Sequence, residues 1–291
     1  MRMPGSATAV VAHGRREARV LGAPNSRRAL GRYGPPLVFA ALVLGAWQLY
    51  VSLSGISETV LPSPIEIARA LVAARGTLAP SAWTTISEIL IGYGSAIALG
   101  CGLALLVASS PLLERAAYPW LVISQLVPVP AIAALVVVWT GFGLGSKVVV
   151  IALVSFFPIA VGAIDGLRST EPAVLDLLAT LGAGGLDRLR LARVPSALPY
   201  LFSGLRVAAV LSVIGAVFAE WVGSYQTGLG YLILTYNNQT ATAAEFAAIV
   251  LLAVIGIGLF ALVGALERVL VPWNRALERS SRSAATRGDH D

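Results

Sequence analysis

Ionisable side chains are rare inside the apolar parts of this 291-residue sequence, and Glu220 most needs an explanation. With Arg206, it interrupts an apolar stretch from Leu201 to Val222. An ionised group inside a membrane costs several kcal/mol unless it is paired or hydrated. Glu220 is therefore a candidate outer gate, a structural group at a subunit interface, or a solute contact. Arg206 precedes it by about 21 Å of helix, too far for pairing, and is expected to extend towards the cytoplasmic headgroups.

The sequence lacks the residues for the catalytic and metal-binding chemistry that some membrane proteins perform. Both histidines, His13 and His290, lie in polar terminal segments, so neither a Ser/His protease nor a His-ligated metal site has its ligands. Asp165 is a single aspartate, whereas an aspartyl dyad needs two. The segment Gly141–Lys147 is rich in glycine but lacks the spacing of a phosphate-binding loop and follows no strand. We predict no catalytic residue and no metal site, and a simple turn at Gly141–Lys147.

The composition places the chain in a lipid bilayer. Hydrophobic residues make up 57% of the sequence and charged residues 12%, against about 45–50% and about 25% in soluble domains. Crossing a bilayer takes about 20 mostly apolar residues. We predict an all-α integral membrane protein with six spans, at about residues 35–54, 86–108, 119–140, 147–164, 200–222 and 246–270.

The distribution of basic residues predicts the orientation of these spans. If the N-terminus is cytoplasmic, 18 of the 21 Lys and Arg residues fall on the cytoplasmic side, and only Arg69, Arg75 and Lys147 fall outside. Such an excess follows the positive-inside rule. Both termini are therefore expected in the cytoplasm, as a disordered basic arm at 1–34 and a polar tail at 274–291. The net charge of +6 reflects this topology, and no nucleic-acid partner is expected.

A strip of small residues predicts close helix packing in the second span. Gly92, Ala96, Gly100, Ala104 and Ala108 recur every four residues, which places them on one face of that helix. Small side chains let helices approach each other closely in lipid. Packing within the bundle is the favoured interpretation, and lining of a pore is the alternative.

Prolines predict a bend in the third span. Pro119, Pro128 and Pro130 each remove a backbone donor and favour a kink or a break. Carbonyls freed in this way are tolerated at membrane depth where protein or a watery cavity satisfies them. Pro128 and Pro130 are therefore candidates for lining a solute pathway, and a purely structural bend remains an equal alternative.

The loop at residues 165–199 has the pattern of a bent pair of short helices. Thr170 can cap the first helix, Pro172 suits its first turn, and the glycines from Gly182 end it. A second helix is expected from Leu186 to Val194, where Pro195 and Pro199 would stop it. By pattern alone, the pair could lie in the membrane interface or dock on a cytoplasmic partner.

A family resemblance favours docking. The run from Asp176 to Gly182, followed nine residues later by Ala192-Arg-Val-Pro195, resembles the EAA loop of binding-protein-dependent ABC importer permeases. Asp replaces the family's Glu and Leu-Leu its Ala-Ala, and Ala192-Arg-Val194 departs from its I-x-L. Several other segments resemble the nitrate, sulfonate and taurine branch, among them Leu61-Pro-Ser-Pro64, Phe156-Phe-Pro158, Asp165-Gly-Leu167, Leu198–Arg206, Glu220 and Gly228-Leu-Gly230.

The resemblance implies a transporter of several subunits. Residues 35–273 would form a six-helix type I ABC importer transmembrane domain in a bacterial inner membrane, with cytoplasmic coupling helices in the loop 165–199. The partners would be a second permease, most simply a copy of this chain, a cytoplasmic ABC ATPase dimer that binds ATP and Mg²⁺, and an extracytoplasmic solute-binding protein; this chain itself would bind no cofactor. The ATPase contacts would be Asp176, Leu177, Leu178, Gly182 and Pro195.

The solute is the least determined part of this interpretation. The segments Val213–Val217, Glu220–Gly223, Gly228–Ile233 and Leu270–Trp273 look most like permeases for pyrimidine precursors of thiamine. Nitrate, sulfonate and taurine are the alternatives. An ion-coupled secondary transporter is the rival from another class, but it would need several buried carboxylates, and the spans offer Glu220 with only edge residues such as Glu88.

Overall fold

The computed structural model describes residues 26–223 and 227–273, and its regular structure over those ranges is helical. Residues 1–25 of the predicted arm and the predicted tail at 274–291 lie outside the described residues, whereas residues 26–34 begin the first helix. The helices are α1 (Ser26–Ser54), α2 (Pro64–Ala73), α3 (Arg75–Ala108), α4 (Pro111–Ser124), α5 (Val129–Thr140), α6 (Leu144–Arg168), α7 (Pro172–Thr180), α8 (Gly185–Arg188), α9 (Val194–Gly223), α10 (Leu229–Asn238) and α11 (Thr242–Leu270).

Two compact units divide the chain. The first contains α1 and ends at Ile56, and the second begins at Ser57 and contains the other helices. Five described helices are long and apolar enough to cross a membrane: α1, α3, α6, α11 and the continuous helix from Gly185 to Gly223. With α4 and α5 counted as one broken span, the described part of the chain has up to six.

The third span is bent, as its prolines predict. The axes of α4 and α5 differ by 100° across a break of four residues. Pro128 lies in that break with an extended backbone (φ −61°, ψ 129°), and Pro130 is in the first turn of α5. Both positions suit proline because its missing N–H has no helical partner there. Pro119 lies inside α4 and does not interrupt it.

The small-residue strip packs α3 against α6, which confirms the packing interpretation. Gly92, Ala96, Gly100 and Ala104 are buried. A Cβ atom on Gly92 would lie 2.6 Å from Ile151, and one on Gly100 would lie 2.9 Å from Ile159. The two helices are therefore closer than larger side chains would permit.

α6 packs on its other side against α9, again through glycines. A Cβ atom on Gly162 would lie 2.8 Å from the carbonyl oxygen of Tyr200, and one on Gly166 would lie 2.7 Å from Ala197. From the α9 side, Gly204 faces the carbonyl of Pro158. α6 is therefore held between α3 and α9, and Tyr93 of α3 also reaches α9 by donating a hydrogen bond to the Leu205 carbonyl (2.8 Å).

Two short helices lie outside this core. α2 begins with a capping box in which the Ser63 N–H donates to the Glu66 carboxylate (2.6 Å) and the Glu66 N–H donates to the Ser63 hydroxyl (3.3 Å). The hydrogen bond from the Ser63 backbone lowers the pKa of Glu66. This helix begins at the last residue of the motif Leu61-Pro-Ser-Pro64. α10 packs against α3, α9 and α11.

Candidate functional site

The coupling segment, residues 165–199, contains the two short helices that the sequence predicts. α7 ends near Leu181, and Gly182 then turns the chain with a positive φ of 81°. Such a backbone conformation is strained for any residue with a Cβ atom. The Ala183 N–H donates to the carbonyl of Leu178 (2.9 Å), and the Arg188 side chain donates to the carbonyl of Ala183 (3.1 Å). The turn between the two helices is therefore fixed by internal hydrogen bonds.

The predicted start of α7 is wrong by one residue. Glu171, not Thr170, occupies the N-cap position, and no side chain caps the helix there. Thr170 is buried instead, and its hydroxyl has no hydrogen-bond partner among the described residues. Pro172 does begin the helix, as predicted. Its fixed φ and missing N–H fit the first helical turn without help from a cap.

The predicted end of the second helix is also wrong. α8 passes into a π-helical turn at Leu189–Arg193 and then directly into α9, which continues through Pro195 and Pro199. The Val194 N–H donates to the carbonyl of Leu189, five residues earlier. A π-turn widens the helix locally, which gives the ring of Pro195 room where a regular helix would clash with it. The π-turn thus accommodates Pro195, whereas Pro199 lies further along, inside α9.

Most of the predicted coupling residues are exposed. Asp176 and Gly182 are exposed, Leu177 is 59% exposed, and Leu178 and Pro195 are half-buried. α7 has no buried residue. Large apolar side chains along the segment are also exposed, namely Leu181, Leu186 and Leu191. An apolar surface of this kind on a helical hairpin indicates an interaction site.

A second group of functional residues lies at the other end of α6 and α9. We call it the distal cluster, and it consists of Thr85, Glu88, Lys147, Glu220 and Thr227. Lys147 is near the start of α6 and Glu220 near the end of α9, whereas the coupling segment joins the end of α6 to the start of α9. Each of these helices has at least 25 residues, so roughly 30 Å separates the two sites.

Glu220 holds three elements together. Its carboxylate is fully buried and accepts hydrogen bonds from the Thr85 hydroxyl of α3 (2.6 Å) and from the Gly230 N–H of α10 (2.5 Å). Thr85 in turn accepts a hydrogen bond from the Leu229 N–H (2.9 Å). The indole of Trp221 donates to the Gly230 carbonyl (3.0 Å). The start of α10 is therefore fixed to both α3 and α9.

Glu88 and Lys147 form a buried ion pair beside Glu220. The Lys147 ammonium is 2.6 Å from one carboxylate oxygen of Glu88 and 3.5 Å from the Thr227 hydroxyl. Both charged residues are 2% exposed. A pair at this depth is stable only if its geometry is good, because both ions have lost their water. It links α3 to α6 one helical turn beyond Thr85.

The sequence does not predict the role of this pair. Glu88 is predicted at the edge of a span and Lys147 in an outer turn, yet both are buried. The available signal was two opposite charges, each at the start of an apolar run. The Gly141–Lys147 segment is nevertheless a turn into a helix, as predicted, with positive φ at Gly141 and Gly143.

Two further predictions concern Arg206 and the prolines. Arg206 is predicted to extend towards the headgroups without a partner. In the structure its guanidinium is paired with Glu267 of α11 (2.5 Å) and lies over the ring of Phe260. Opposite charges on facing helices satisfy each other within the bundle. Pro128 and Pro130 are exposed at the bend before α5. A pathway role for these prolines remains a prediction, as does one for Glu220.

Comparison with known proteins identifies the family of this chain. Residues 96–275 match the family described as the binding-protein-dependent transport system inner membrane component. The chain is 38% identical to the formylaminopyrimidine transport permease ThiX of Halalkalibacterium halodurans, over 82% of this chain and 96% of ThiX. It is 37% identical to the riboflavin transport system permease RibX of Chloroflexus aurantiacus, over 80% and 87%. It is 30% identical to a putative aliphatic sulfonates permease, SsuC of Bacillus subtilis, over 85% and 91%.

A solved structure supports the fold. A chain of the MetNI methionine ABC transporter in an inward-facing conformation superposes with a TM-score of 0.55 at 18% identity, over 66% of this chain and 97% of that one. At this identity the likeness concerns the fold, which is that of a type I importer transmembrane domain. The chain belongs to the family of binding-protein-dependent transport system inner membrane components and is the multi-pass inner-membrane permease subunit of an ABC importer.

Proposed function

We propose that this permease is one half of a homodimeric import pore whose coupling segments rest on a cytoplasmic ABC ATPase dimer. The observation that carries the proposal is the exposed apolar surface of α7 and the short helix after it, with Leu177 59% and Leu181 74% exposed. The Gly182 turn and the direct passage into α9 would transmit a movement of the ATPase to the spans. ATP and Mg²⁺ would be bound by the ATPase, and no cofactor by this chain.

The proposed cycle uses both ends of the molecule. ATP binding would close the ATPase dimer, and the coupling segments would turn the pore outward to receive solute. Hydrolysis would then reset it. In this orientation both termini are cytoplasmic, and the distal cluster lies on the outer side, where a solute-binding protein docks. The distribution of basic residues supports this orientation.

For the solute, we propose a pyrimidine precursor of thiamine. The 38% identity to ThiX over almost the whole of that protein supports this choice. Nitrate, sulfonate or taurine is the alternative, since SsuC is also a relative. Uptake of radiolabelled aminopyrimidine, alkyl sulfonate and nitrate by the complete complex in proteoliposomes would decide between them. Import of an anion without any import of the pyrimidine would refute the proposed solute.

The docking proposal is tested by placing a charge on the coupling segment. Leu177→Glu should lower the amount of ATPase subunit that co-purifies with the permease at least tenfold, because a buried unpaired carboxylate would oppose the apolar contact. Val60→Glu is the matched control, since Val60 is 71% exposed and lies in a loop before α2. It should leave co-purification unchanged. Normal ATPase recovery and solute-stimulated ATP hydrolysis with Leu177→Glu would refute the docking role.

A further inference from the structure

The break in the third span leaves polar backbone groups without partners. We call residues 125–128, between α4 and α5, the mid-span break. In a continuous helix the carbonyls of Ser124 and Leu126 would accept hydrogen bonds from the residues four positions later. Those residues are Pro128 and Pro130, which have no N–H group. Among the described residues, the carbonyls of Ser124, Leu126 and the residue after each accept no backbone hydrogen bond.

The mid-span break lies near the middle of the membrane. On its α4 side, Leu121 packs in an apolar cluster with Ala163 of α6. On its α5 side, Ala133 packs in a cluster with Val150 of α6. α6 is a span of 25 residues, Leu144–Arg168. The mid-span break is therefore level with the part of α6 between these two contacts, and this part contains the centre of that helix.

The described part of this subunit does not cover the mid-span break. Each of its residues is exposed, and Leu126 is 77% exposed. Backbone without hydrogen bonds is tolerated at this depth only where protein buries it or where it lines a water-filled cavity. A second copy of the chain would present the same carbonyl acceptors, and acceptors do not bond to one another. Water is the partner that satisfies them.

Gln125 adds an amide side chain to these backbone groups. It is exposed at the C-cap position of α4, and its amide makes no hydrogen bond to the described residues. An amide has both donors and an acceptor, and it is unfavourable in an apolar environment without partners. Residues 119–140 contain no ionisable side chain. The hydrogen bonds available at the mid-span break are therefore neutral.

We propose that the mid-span break lines the translocation path at its midpoint, and that Gln125 contacts the solute there through its amide group. The inference rests on the proposed import function and adds the residue that binds the solute in transit. In the dimer two copies of Gln125 face one path, so the contact is complete only with both subunits. Neutral hydrogen bonds suit this role, because a site in a path must release the solute as readily as it admits it. The contact serves any small solute with hydrogen-bonding groups and does not choose among the three solutes considered above.

Thiol labelling tests whether water reaches the mid-span break. Gln125→Cys is placed in the Cys101→Ala background, because Cys101 is the only cysteine of the chain. A thiol reacts as its thiolate, which forms in water and not in lipid. The water-soluble reagent methanethiosulfonate ethylsulfonate is added to both sides of proteoliposomes that contain the permease–ATPase complex. It should modify Gln125→Cys at least about tenfold faster than Leu99→Cys.

Leu99 is the control because it is exposed at a similar depth. It is 60% exposed on α3, and its neighbour Gly100 lies against Ile159 near the centre of α6. α3 is unbroken there, so its backbone can face lipid. Equal rates of modification for the two variants would overturn the inference and leave the import function intact.

Uptake by the complete system tests the contact with the solute. The probes are radiolabelled aminopyrimidine, methanesulfonate and nitrate. Gln125→Leu is similar in size but has no hydrogen-bonding group, and it should slow uptake about tenfold. Gln125→Asn keeps the amide and should import faster than Gln125→Leu. Gln239→Leu makes the same change at an exposed position at the end of α10, and it should import normally.

Thermal stability separates a contact with the solute from a structural role. Because Gln125 has no partner among the described residues, Gln125→Leu should melt at the same temperature as the unmodified complex. Slow uptake together with a lower melting temperature would overturn the inference, because Gln125 would then support the fold.

The outcomes also separate this inference from the proposed solute. If the unmodified system imports one of the probes and Gln125→Leu imports it at the same rate, Gln125 is not a contact and the import function stands. If the unmodified system imports methanesulfonate and no pyrimidine, the proposed solute fails. The same variants then decide the role of Gln125 with methanesulfonate as the probe.

Discussion

At the scale of single residues, the charged groups of the distal cluster connect helices to one another and are also candidates for contact with the solute. The Glu220 carboxylate is completely buried and accepts hydrogen bonds from α3 and α10, at Thr85 and Gly230. Each of its two oxygens is therefore held by a different helix. The start of α10 therefore depends on one side chain of α9.

Glu220→Gln should destabilise the permease. The amide group keeps one acceptor oxygen, but its NH₂ group would face the Gly230 N–H or the Thr85 hydroxyl, so one donor would lose its acceptor. We expect a loss of about 2 kcal/mol in the free energy of unfolding, measured by denaturant titration in detergent micelles. Glu245→Gln, at an exposed hydrogen bond to Asn237, should change it little. Normal uptake and stability with Glu220→Gln would exclude both the gating and the structural role.

Two effects require glycine at position 228, and a matched variant at Gly141 distinguishes them. Its backbone (φ 102°, ψ 164°) lies in a region that is nearly exclusive to glycine, and so does that of Gly141 (φ 79°, ψ 179°). A Cβ atom on Gly228 would also collide with the Glu220 carboxylate, whereas one on Gly141 would meet nothing within 4 Å.

Gly141→Ala should cost about 1–3 kcal/mol of stability through backbone strain alone. Gly228→Ala should cost more than Gly141→Ala, because the carboxylate of Glu220 must also move. The difference is measurable in the same denaturant titrations. Equal losses in the two variants would mean that the position of Glu220 does not depend on Gly228.

The sequence indicates some of these residues and not others, for a physical reason. Glu220 is recognisable because a single carboxylate in an apolar span is unusual. Glu88 and Lys147 each lie at a predicted span edge, where a charged residue at the headgroups needs no partner. Their pairing depends on the rotation of α3 relative to α6. Helical periodicity within one span does not determine that rotation.

At the scale of helices, α6 forms the axis of the second unit because glycines let α3 and α9 approach it. The strip on α3 is visible in the sequence as a four-residue repeat. On α6 the sequence offers one such four-residue step, from Gly162 to Gly166, and the third contact glycine, Gly204, lies on α9. The sequence of either helix alone does not show that these glycines meet, because their contact depends on how α6 and α9 cross.

Gly204→Ala tests this crossing. In an exposed helix, alanine in place of glycine gains up to about 1 kcal/mol of stability. At Gly204 the added methyl group would press on the Pro158 carbonyl, and the resulting overpacking should cost about 1–3 kcal/mol. Gly102→Ala, where nothing lies within 4 Å, is the control and should be neutral or stabilising. Stabilisation by Gly204→Ala would show that the helices are not in backbone contact there.

The junction between the coupling segment and α9 shows where element prediction fails. Proline is the strongest helix-ending signal in a sequence, so Pro195 and Pro199 predict a stop. At Pro195 the π-turn at Leu189–Arg193 overrides that signal, and α9 also continues through Pro199. A π-turn depends on the register of a single hydrogen bond, here from Val194 to Leu189, and no residue type marks it. As a result, the coupling segment continues into a span without an intervening loop.

At the scale of the whole molecule, α6 and α9 connect the coupling segment to the distal cluster. The coupling segment connects the two helices at one end, and Glu220 and Lys147 bind them to their neighbours at the other. A shift of the coupling segment would therefore act on the distal cluster through two rigid helices. Sequence patterns predict the number of spans and the coupling segment, because these follow from hydrophobic length and short-range motifs. They do not predict the connection between the sites, because it depends on packing.

The proposed orientation places these two sites on opposite sides of the membrane, which cysteine labelling can test. The background variant is Cys101→Ala, since Cys101 is the only cysteine of the chain. Arg190→Cys reports on the coupling segment and Asn238→Cys on the end of α10, and both positions are exposed. In intact spheroplasts, a membrane-impermeant maleimide should label Asn238→Cys, and it should label Arg190→Cys only after permeabilisation. The reverse pattern would place the coupling segment outside the cell, where no ATPase could reach it, and would refute the proposed topology together with the docking role.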